Sequence, residues 1–585
     1  MERPGAVGAA ERSAVEVAAS ACGRVIGQIR QWSSAIGKWL WAGSPPAVHA
    51  EGDHFTFAKG WPRVGTQLLD PVQLRNFWHS GKASIVSGHW LLGWSVPKER
   101  QFVLCTDPLA AEPLYWRRLP QGWALGNSPY WLAQLAPPAA LDLDSLHDFL
   151  LWGHRDQGEY TFWQGVRALP GGHCACFAVG DKEPQLTMWW QAPQKLDTHN
   201  HTEAPSAQLH TLMDVALATG LSNVTQPVSL LSGGLDSSAL SAWAYRYAPH
   251  LQAVSTHWPE QPFDEFTFAC KVADYLRLKL HAVQPQVEEL LAASAHLMQV
   301  HEGPVMSPGA FAQYQLMGRA AELGADIVID GTAADALFAG HTSHLVYWGA
   351  HCLRTFHWRE AAYVAASCGG WGAFFSAFAK MVGKNWLFRH GRQQWMARRL
   401  LRQLYEEWSV FAPEFLHKHG REAPVGYWQW GESLEEVLRR EYYEGEVTFL
   451  LRSLHRNAEA HGLRVFAPFA HEPAVATWAL ALPARWKIRA GWTKWVLRKA
   501  VTDLLPEAVV WRHDKLAQAT PANLWTRALL RELWPVLEAN PLGLFDRRAL
   551  QRLRHTFFEP RGPIERYRVF KFAAFAAWWQ MLNSR

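Results

Sequence analysis

From about Pro205 onward, short apolar runs alternate with stretches of helical periodicity. Apolar runs that begin at Val228, Ala253 and Ala325 predict buried strands, and positions 239–247 predict a helix after the first of them. Strands that alternate with helices are typical of an α/β domain, in which a parallel sheet carries helices on both faces. The pattern therefore predicts this fold class for the larger, C-terminal part of the chain.

Upstream, between about Asp53 and Gln191, the pattern changes to short alternating runs separated by turn residues. Ser84–Ser87, Trp90–Trp94 and Phe102–Thr106 are predicted β-strands. The polar, proline-containing segment 192–205 is a predicted linker. We therefore divide the chain into an N-terminal extension (1–50), a strand-rich domain (51–195) and an α/β domain (196–585).

Composition excludes several classes of protein. With 585 residues, 49% apolar and 19% charged, the chain is too long for one core and too apolar to be disordered. A net charge of +5 is weak for 66.1 kDa and does not indicate nucleic-acid binding. No segment has ~18 uninterrupted apolar residues, so no integral membrane segment is expected.

The spacing of cysteines and histidines argues against metal sites and a disulfide scaffold. The seven cysteines form no CxxC pair, which argues against a zinc site or a disulfide scaffold and favours a cytoplasmic location. The 27 histidines are scattered without a third ligand at a suitable spacing, so the sequence assigns no structural metal.

The segment 230–238, Leu-Leu-Ser-Gly-Gly-Leu-Asp-Ser-Ser, joins a strand to a helix through glycines. Backbone N–H groups and a positive helix end converge at such a joint, which suits phosphate or pyrophosphate. Asp236 could hold the accompanying Mg²⁺, and no lysine follows as it does in the common P-loop. The predicted anion-binding residues are Leu231, Ser232, Gly233, Gly234, Asp236, Ser237 and Ser238.

This motif resembles the pyrophosphate loop of the ATP-pyrophosphatase enzymes, in the form found in asparagine synthetases. The resemblance implies ATP and Mg²⁺ as cofactors, a carboxylate activated as its acyl-adenylate, and an amine that displaces AMP to form an amide. It also implies that Thr256 contacts adenine through its backbone. Asp330 and Gly331 would form a second nucleotide loop, and Asp335 would share Mg²⁺ and catalysis with Asp236. The second glycine of that loop is Ala333 here.

Two later segments fit the same family. Pro506–Lys515 is similar to its Leu-Pro…Arg-x-Lys run with one residue inserted, which implies Lys515 as the catalytic cation at the α-phosphate. Upstream, Lys494-x-x-Leu497-Arg498 also fits. Val465–Phe469 resembles the segment that lines the acceptor pocket, so Arg464, where asparagine synthetases have Glu, and Pro468 are predicted pocket residues.

The strand-rich domain resembles the glutaminase half of the same enzymes. Asp107–Trp116 is similar to their Asp-x-x-Gly-x-x-Pro-Leu-Tyr stretch, and Leu169–His173 to a closing turn. The resemblance implies an α+β sandwich of the Ntn type. Working glutaminases use an N-terminal Cys, whereas residue 2 here is Glu and the first Cys is Cys22. We therefore expect a degenerate domain without ammonia-releasing chemistry.

Together these features look most like the lasso-peptide macrolactam synthetases, which adenylate an Asp or Glu side chain and close a ring with the peptide's N-terminal amine. Such an enzyme needs no ammonia. The resemblance implies a ribosomal precursor peptide and a leader-processing protease as partners. Three alternatives stay open: an asparagine synthetase that uses free ammonia, a β-lactam-forming ligase, and a non-enzymatic binding scaffold.

Overall fold

The computed structural model describes residues 30–34, 37–41, 47–51, 54–120, 122–135, 137–155, 158–178, 180–193, 204–259, 261–390, 410–419, 432–513, 520–560 and 563–584. Cys22, most of the predicted linker and Lys515 lie outside these residues. In the described part, no helix is both long and apolar enough to cross a membrane.

Residues 204–584 are called the C-terminal or synthetase half below, and residues 30–193, called the N-terminal half, are built mainly of antiparallel strands. Its strands are β1 (Arg30–Ser34), β2 (Gly37–Trp41), β3 (Ala47–Glu51), β4 (His54–Gly60), β5 (Arg63–Val64), β6 (Gln67–Leu68), β7 (Trp90–Val96), β8 (Gln101–Thr106), β9 (Tyr115–Leu119), β10 (Gly122–Gly126), β11 (Val166–Ala168), β12 (His173–Ala178) and β13 (Gln185–Met188). Its helices are Pro71–His79, Pro129–Gln134 and Leu143–Trp152, with 3₁₀ turns at Ala83–Ile85 and Pro97–Glu99.

Two antiparallel sheets of this half share one core. The larger has the order β13-β12-β8-β7-β4-β3 and the smaller the order β10-β9-β11. Phe57, Leu104 and Phe177 of the larger sheet pack in one cluster with Trp116 and Leu125 of the smaller. The layers are compatible with a sandwich, and its identification as an Ntn-type glutaminase fold stays a prediction.

Two of the predicted strands are confirmed as β7 and β8, and the third is wrong. Residues around Ser84–Ser87 form the 3₁₀ turn Ala83–Ile85. The reason is that Ala83 and Val86, three positions apart, are buried while Ile85 is 54% exposed. Burial at a spacing of three fits a 3₁₀ turn rather than a strand that alternates every second residue.

The cysteine spacing argued against a disulfide scaffold, yet the described residues contain one disulfide. Cys105 of β8 and Cys174 of β12 are direct cross-strand neighbours, and their sulfurs form a bond. The two residues are 69 positions apart, so sheet register brings them together rather than any local cysteine motif.

The C-terminal half confirms the predicted α/β class. Its strands are β14 (Pro227–Leu230), β15 (Gln252–Thr256), β16 (Lys279–Val283), β17 (Ile327–Ile329) and β18 (Arg464–Phe466), all parallel in the order β16-β15-β14-β17-β18. The central strands β14 and β17 are buried at every position, as expected for strands covered on both faces.

Helices surround this sheet and extend it toward the C-terminus. The α-helices are Pro205–Gly220, Leu235–Tyr247, Phe266–Leu276, Val287–Val300, Gly309–Glu322, Ala334–Phe338, Thr342–Arg354, Trp358–Ser367, Trp371–His390, Pro413–Lys418, Leu434–Tyr443, Glu446–Ala460, Pro468–His471, Pro473–Ala481, Ala484–Lys487, Trp495–Ala500, Glu507–Val510, Ala522–Glu538, Arg547–Arg552, Arg554–Phe558 and Pro563–Asn583.

The two halves are joined by buried polar contacts. Arg63 forms a buried ion pair with Glu472, and the Gly88 N–H donates to the His471 carbonyl at 2.7 Å. The helix Glu446–Ala460 contributes Arg452, whose Nε donates to the Ala110 carbonyl at 3.2 Å. The N-terminal half is therefore fastened to the segment that surrounds β18.

Candidate active site

The candidate site lies at the carboxyl edge of the parallel sheet. The chain crosses from β14 to β15 and β16 on one side, and then returns to β17 and β18 on the other. The strand order therefore reverses between β14 and β17. In open parallel sheets, ligands bind outside the carboxyl ends of the strands at this switch point. The loops after β14 and β17 are the two predicted nucleotide loops.

The first loop turns sharply because its glycines allow it. Gly233 has φ +78°, and a Cβ there would lie 2.5 Å from the Ala269 nitrogen of the neighbouring helix. Gly234 caps the helix Leu235–Tyr247 without a side-chain bond to the free N–H groups of its first turn. An anion at this helix end would meet those N–H groups and the positive end of the helix dipole.

The serines of the loop hold it in shape. Ser232 Oγ lies 3.0 Å from Ser237 Oγ and accepts from the Gly234 N–H at 3.3 Å. Leu231 donates its N–H to the Val254 carbonyl at 2.9 Å, which ties the start of the loop to β15. Ser238 is buried, and its Oγ has no hydrogen-bond partner in the part of the chain that is described. The predicted loop residues are thus brought together at one place.

The second loop places a carboxyl group deep in the protein. Thr332 donates its N–H to Asp330 Oδ1 at 2.7 Å, and the Asp330 N–H donates to the Phe466 carbonyl at 3.1 Å. Burial raises the pKa of Asp330, and the negative charge of Asp236 raises it further, against the hydrogen bonds from Thr332. Gly331 permits a close approach, because a Cβ there would lie 3.1 Å from Asp236 Cβ. Asp330 is therefore better suited to shaping the loop than to binding a cation.

Asp236 and Asp335 meet at the ammonium of Lys494. Lys494 Nζ lies 2.5 Å from Asp236 Oδ2 and 2.5 Å from Asp335 Oδ1, so the two oxygens are within about 5 Å of each other. The lysine side chain is 2% exposed. Gly340 makes room for this group, because a Cβ there would overlap both the Asp335 carboxylate and the Lys494 side chain.

This group fits the Mg²⁺ that the pyrophosphate loop implies. Two carboxylates converge beside a loop that suits phosphate, and hard carboxylate oxygens are the ligands Mg²⁺ takes in nucleotide sites. With Lys494 the group carries a net charge of −1, so a divalent cation is attracted. Asp236 and Asp335 are thus the residues that would hold it.

Two arginines add positive charge near the loops. Arg498, one turn after Lys494, donates from Nε to the Thr493 carbonyl at 2.8 Å. Burial lowers its pKa to about 10, while Asp236 favours the charged form, so it stays a cation at neutral pH. Arg512 pairs with Glu265 at 2.7 Å and stacks 3.8 Å from the Phe268 ring, beside the helix that touches Gly233.

The remaining predicted residues divide into three cases. Thr256 ends β15 and Pro468 follows β18, so both lie at the edge of the sheet where the loops meet. Arg464 begins β18 and lies 3.4 Å from Asp326, at the opposite edge, so the structure does not bring it to the loops. Lys515 falls outside the described residues, and its catalytic role stays a prediction.

Sequence reasoning missed the role of Lys494. The sequence did contain a hint, because Lys494-x-x-Leu497-Arg498 fits the family pattern. That match alone did not indicate which residues Lys494 would contact. Lys494 adopts φ +54° directly before the helix Trp495–Ala500, and its N–H donates to the Phe338 carbonyl at 3.1 Å. A contact between residues 258 positions apart cannot be inferred from local spacing.

Comparison with known proteins agrees with the site. The family model described as asparagine synthase matches residues 208–580. A putative glutamine-hydrolysing asparagine synthetase of Mycobacterium tuberculosis (strain H37Rv) is 25% identical over 474 residues, covering 78% of this chain and 70% of the relative. Glutamine-hydrolysing asparagine synthetase 1 of Bacillus subtilis is 23% identical over 322 residues, covering 52% of this chain and 48% of the relative.

One of the solved structures to which this chain has a faint likeness is that of an NAD synthetase. The NH3-dependent NAD synthetase of Campylobacter jejuni, in complex with nitrate, has 18% identity and a TM-score of 0.19, covering 23% of this chain and 60% of that one. A similarity of this size carries no argument about the site.

Proposed function

Because the chain belongs to the asparagine synthase family, we propose that it forms amide bonds with ATP, through an acyl-adenylate and with release of AMP and pyrophosphate. The observation that carries this proposal is the convergence of Asp236, Asp335 and Lys494 at the switch point, directly beside the glycine-rich loop. These groups supply what a departing pyrophosphate needs, namely N–H donors, cation ligands and a fixed positive charge.

Each residue has a separate task in this proposal. The N–H groups at the start of helix Leu235–Tyr247 would hold the pyrophosphate oxygens, and Lys494 would keep the two carboxylates in place. Bound Mg²⁺ would neutralise phosphate charge. Arg498 and the predicted Lys515 would add positive charge close to the phosphates.

We propose further that the acid and the amine belong to one peptide, so that the product is a macrolactam. Support comes from a cavity of about 950 Å³ between the two halves. Side chains of both halves line it, aromatic (Tyr160, Trp163, Trp190), basic (Arg439, Arg452) and acidic (Glu432, Glu436, Glu444). A pocket of this size suits several residues of a peptide better than free aspartate. None of its lining residues belongs to the nucleotide loops, so it would hold the part of the peptide that lies away from the reacting groups. A ribosomal precursor peptide and a protease that removes its leader are the partners that this function requires.

A second candidate is an asparagine synthetase that uses free ammonia. It is favoured by one observation, the similarity to the asparagine synthetases of Mycobacterium and Bacillus. The two candidates share the nucleotide site. They differ in the carboxylic acid that is activated and in the amine that attacks it.

One experiment separates them. Purified full-length protein with ATP and Mg²⁺ is given aspartate plus ammonium in one tube. A second tube receives a panel of linear peptides that have a free amino terminus and one Asp or Glu at varied distances. Pyrophosphate release only with peptide, and a product lighter by one water, would support the macrolactam synthetase. Asparagine and AMP in the first tube would support the second candidate. No pyrophosphate release and no ATP–pyrophosphate exchange under any condition would contradict both.

A further inference from the structure

A second polar group is buried where the two halves meet, apart from the nucleotide loops. His89 directly precedes β7, Glu112 lies between β8 and β9, and His455 belongs to the helix Glu446–Ala460. All three are less than 10% exposed. Each offers one metal-binding atom, and these atoms lie within 4.8 Å of one another. Two imidazoles and a carboxylate thus converge from both halves of the chain.

The donor set has the chemistry of a transition-metal site. Two histidines and one glutamate are a recurrent ligand set for zinc, which leaves a fourth position for water or another donor. Neighbouring ligands of tetrahedral zinc are about 3.4 Å apart, so modest side-chain rotations would close the observed spacing. The alternative is a metal-free hydrogen-bond network, which must satisfy every buried donor and acceptor.

The hydrogen bonds of the group leave one buried atom without a partner. His89 Nδ1 lies 2.9 Å from Glu112 Oε1, whereas His89 Nε2 has no hydrogen-bond partner among the described residues. A buried ring nitrogen in this state needs a water, an ion or another polar partner. The rings of His89 and His455 have centroids only 4.2 Å apart, so the unsatisfied ring borders the other histidine of the group.

Surrounding side chains hold the group in place. Lys59 Nζ lies 2.8 Å from Glu112 Oε2 and 3.2 Å from Glu459 on the helix that carries His455. His471 Nδ1 accepts from the Ala467 N–H at 3.2 Å, and His471 Nε2 lies 3.3 Å from His455 Nε2. Because a neutral imidazole has one N–H and one lone pair, metal binding through either nitrogen of His455 requires His471 to give up one of these two contacts. The contacts of Lys59 with the carboxylate are of the kind that fix metal ligands in known sites.

We propose that His89, Glu112 and His455 bind a divalent transition-metal ion of the zinc class, which fastens the N-terminal half to the synthetase half. The ligands come from both halves, so the ion binds the assembled chain more tightly than either half alone and stabilises it by mass action. This site is independent of the nucleotide loops, and its test does not require the amide-forming reaction.

The test measures zinc binding to the full-length protein. Wild type is stripped with a chelator and dialysed against buffered zinc, and its metal content and Tm are then measured. We expect one zinc per chain and a Tm that rises with free zinc. His89→Gln and His455→Gln should weaken zinc binding by more than about 100-fold. His344→Gln is the matched control, since His344 is equally buried and bonded to Glu441 at 2.8 Å but lies outside the group.

Two results would overturn the proposal. One is zinc content and affinity that are equal in wild type, His89→Gln and His455→Gln, which would indicate adventitious surface binding only. The other comes from X-ray absorption of zinc-loaded wild type, which also decides the matter if the variants do not fold. A coordination shell with two imidazoles and carboxylate oxygen supports the site, and a shell without imidazole refutes it.

Discussion

Lys494→Met tests the central arrangement of the nucleotide site. In the structure one ammonium separates two carboxylates whose oxygens are within about 5 Å of each other. Without it, two negative charges at that distance repel by about 3 kcal/mol at an effective dielectric constant of 20. Loss of one member of a buried ion pair costs a comparable 3–5 kcal/mol. We therefore expect the variant to be less stable by about 3 kcal/mol, and Tm to fall by roughly 2–4 °C for a chain of this length.

The origin of the loss predicts how conditions change it. Repulsion between Asp236 and Asp335 is lifted when Mg²⁺ binds between them. The difference in Tm between wild type and Lys494→Met should therefore be largest without Mg²⁺ and should shrink when Mg²⁺ is added.

Thermal unfolding followed by fluorescence measures these differences, and Lys499→Met supplies the control. Lys499 lies on the same helix, with Nζ 5.3 Å from the Trp495 ring, and is exposed rather than paired with the two aspartates. An equal loss in the two variants would refute the reasoning. So would a loss at Lys494 that Mg²⁺ does not reduce.

Other substitutions probe neighbouring features. Asp236→Asn and Asp335→Asn should each abolish ATP–pyrophosphate exchange while far-UV circular dichroism stays native, and retained exchange would remove their proposed role. Gly340→Ala should lower exchange at least tenfold, because the new methyl displaces the lysine–aspartate group; unchanged exchange would contradict the predicted overlap. Burial lowers the pKa of Lys487 to about 7, below its unfolded value near 10.4, so the folded state binds fewer protons between these limits. Stability should thus rise with pH from about 7 to 10. Lys487→Met should flatten that rise in urea-unfolding midpoints, and an unaltered slope would show that another group causes it.

The parts of the fold that were predicted correctly depend on local pattern. The apolar run at Val228, its glycines and the following helix are contiguous, so strand, turn and helix could be identified together, while anion binding at this turn stays a prediction. The α/β fold class of the C-terminal half could be predicted because a strand followed by a helix recurs along the chain. At Ser84–Ser87 the apolar positions were too few to separate a strand from a 3₁₀ turn.

The parts that were missed depend on contacts between distant residues. Lys494 reaches Asp236 only because the chain returns to the switch point after 258 residues, and Cys105 meets Cys174 through sheet register. Arg464 illustrates the reverse case. We predicted Arg464 in the acceptor pocket because it lies next to a family motif. In the structure Arg464 is the first residue of β18, and the opposite end of that strand faces the site.

The junction of the two halves also constrains how such a protein can be recombined. Arg63 and Gly88 contact Glu472 and His471, which follow β18 by only a few residues. A chimera that received the N-terminal half of another family member alone would place foreign loops against this segment. Unless the foreign half also supplies a cation at the place of Arg63, the Glu472 carboxylate would stay buried without its partner, which costs about 3–5 kcal/mol. Residues 54–193 and 446–472 should therefore be exchanged together, although more than 250 positions lie between them.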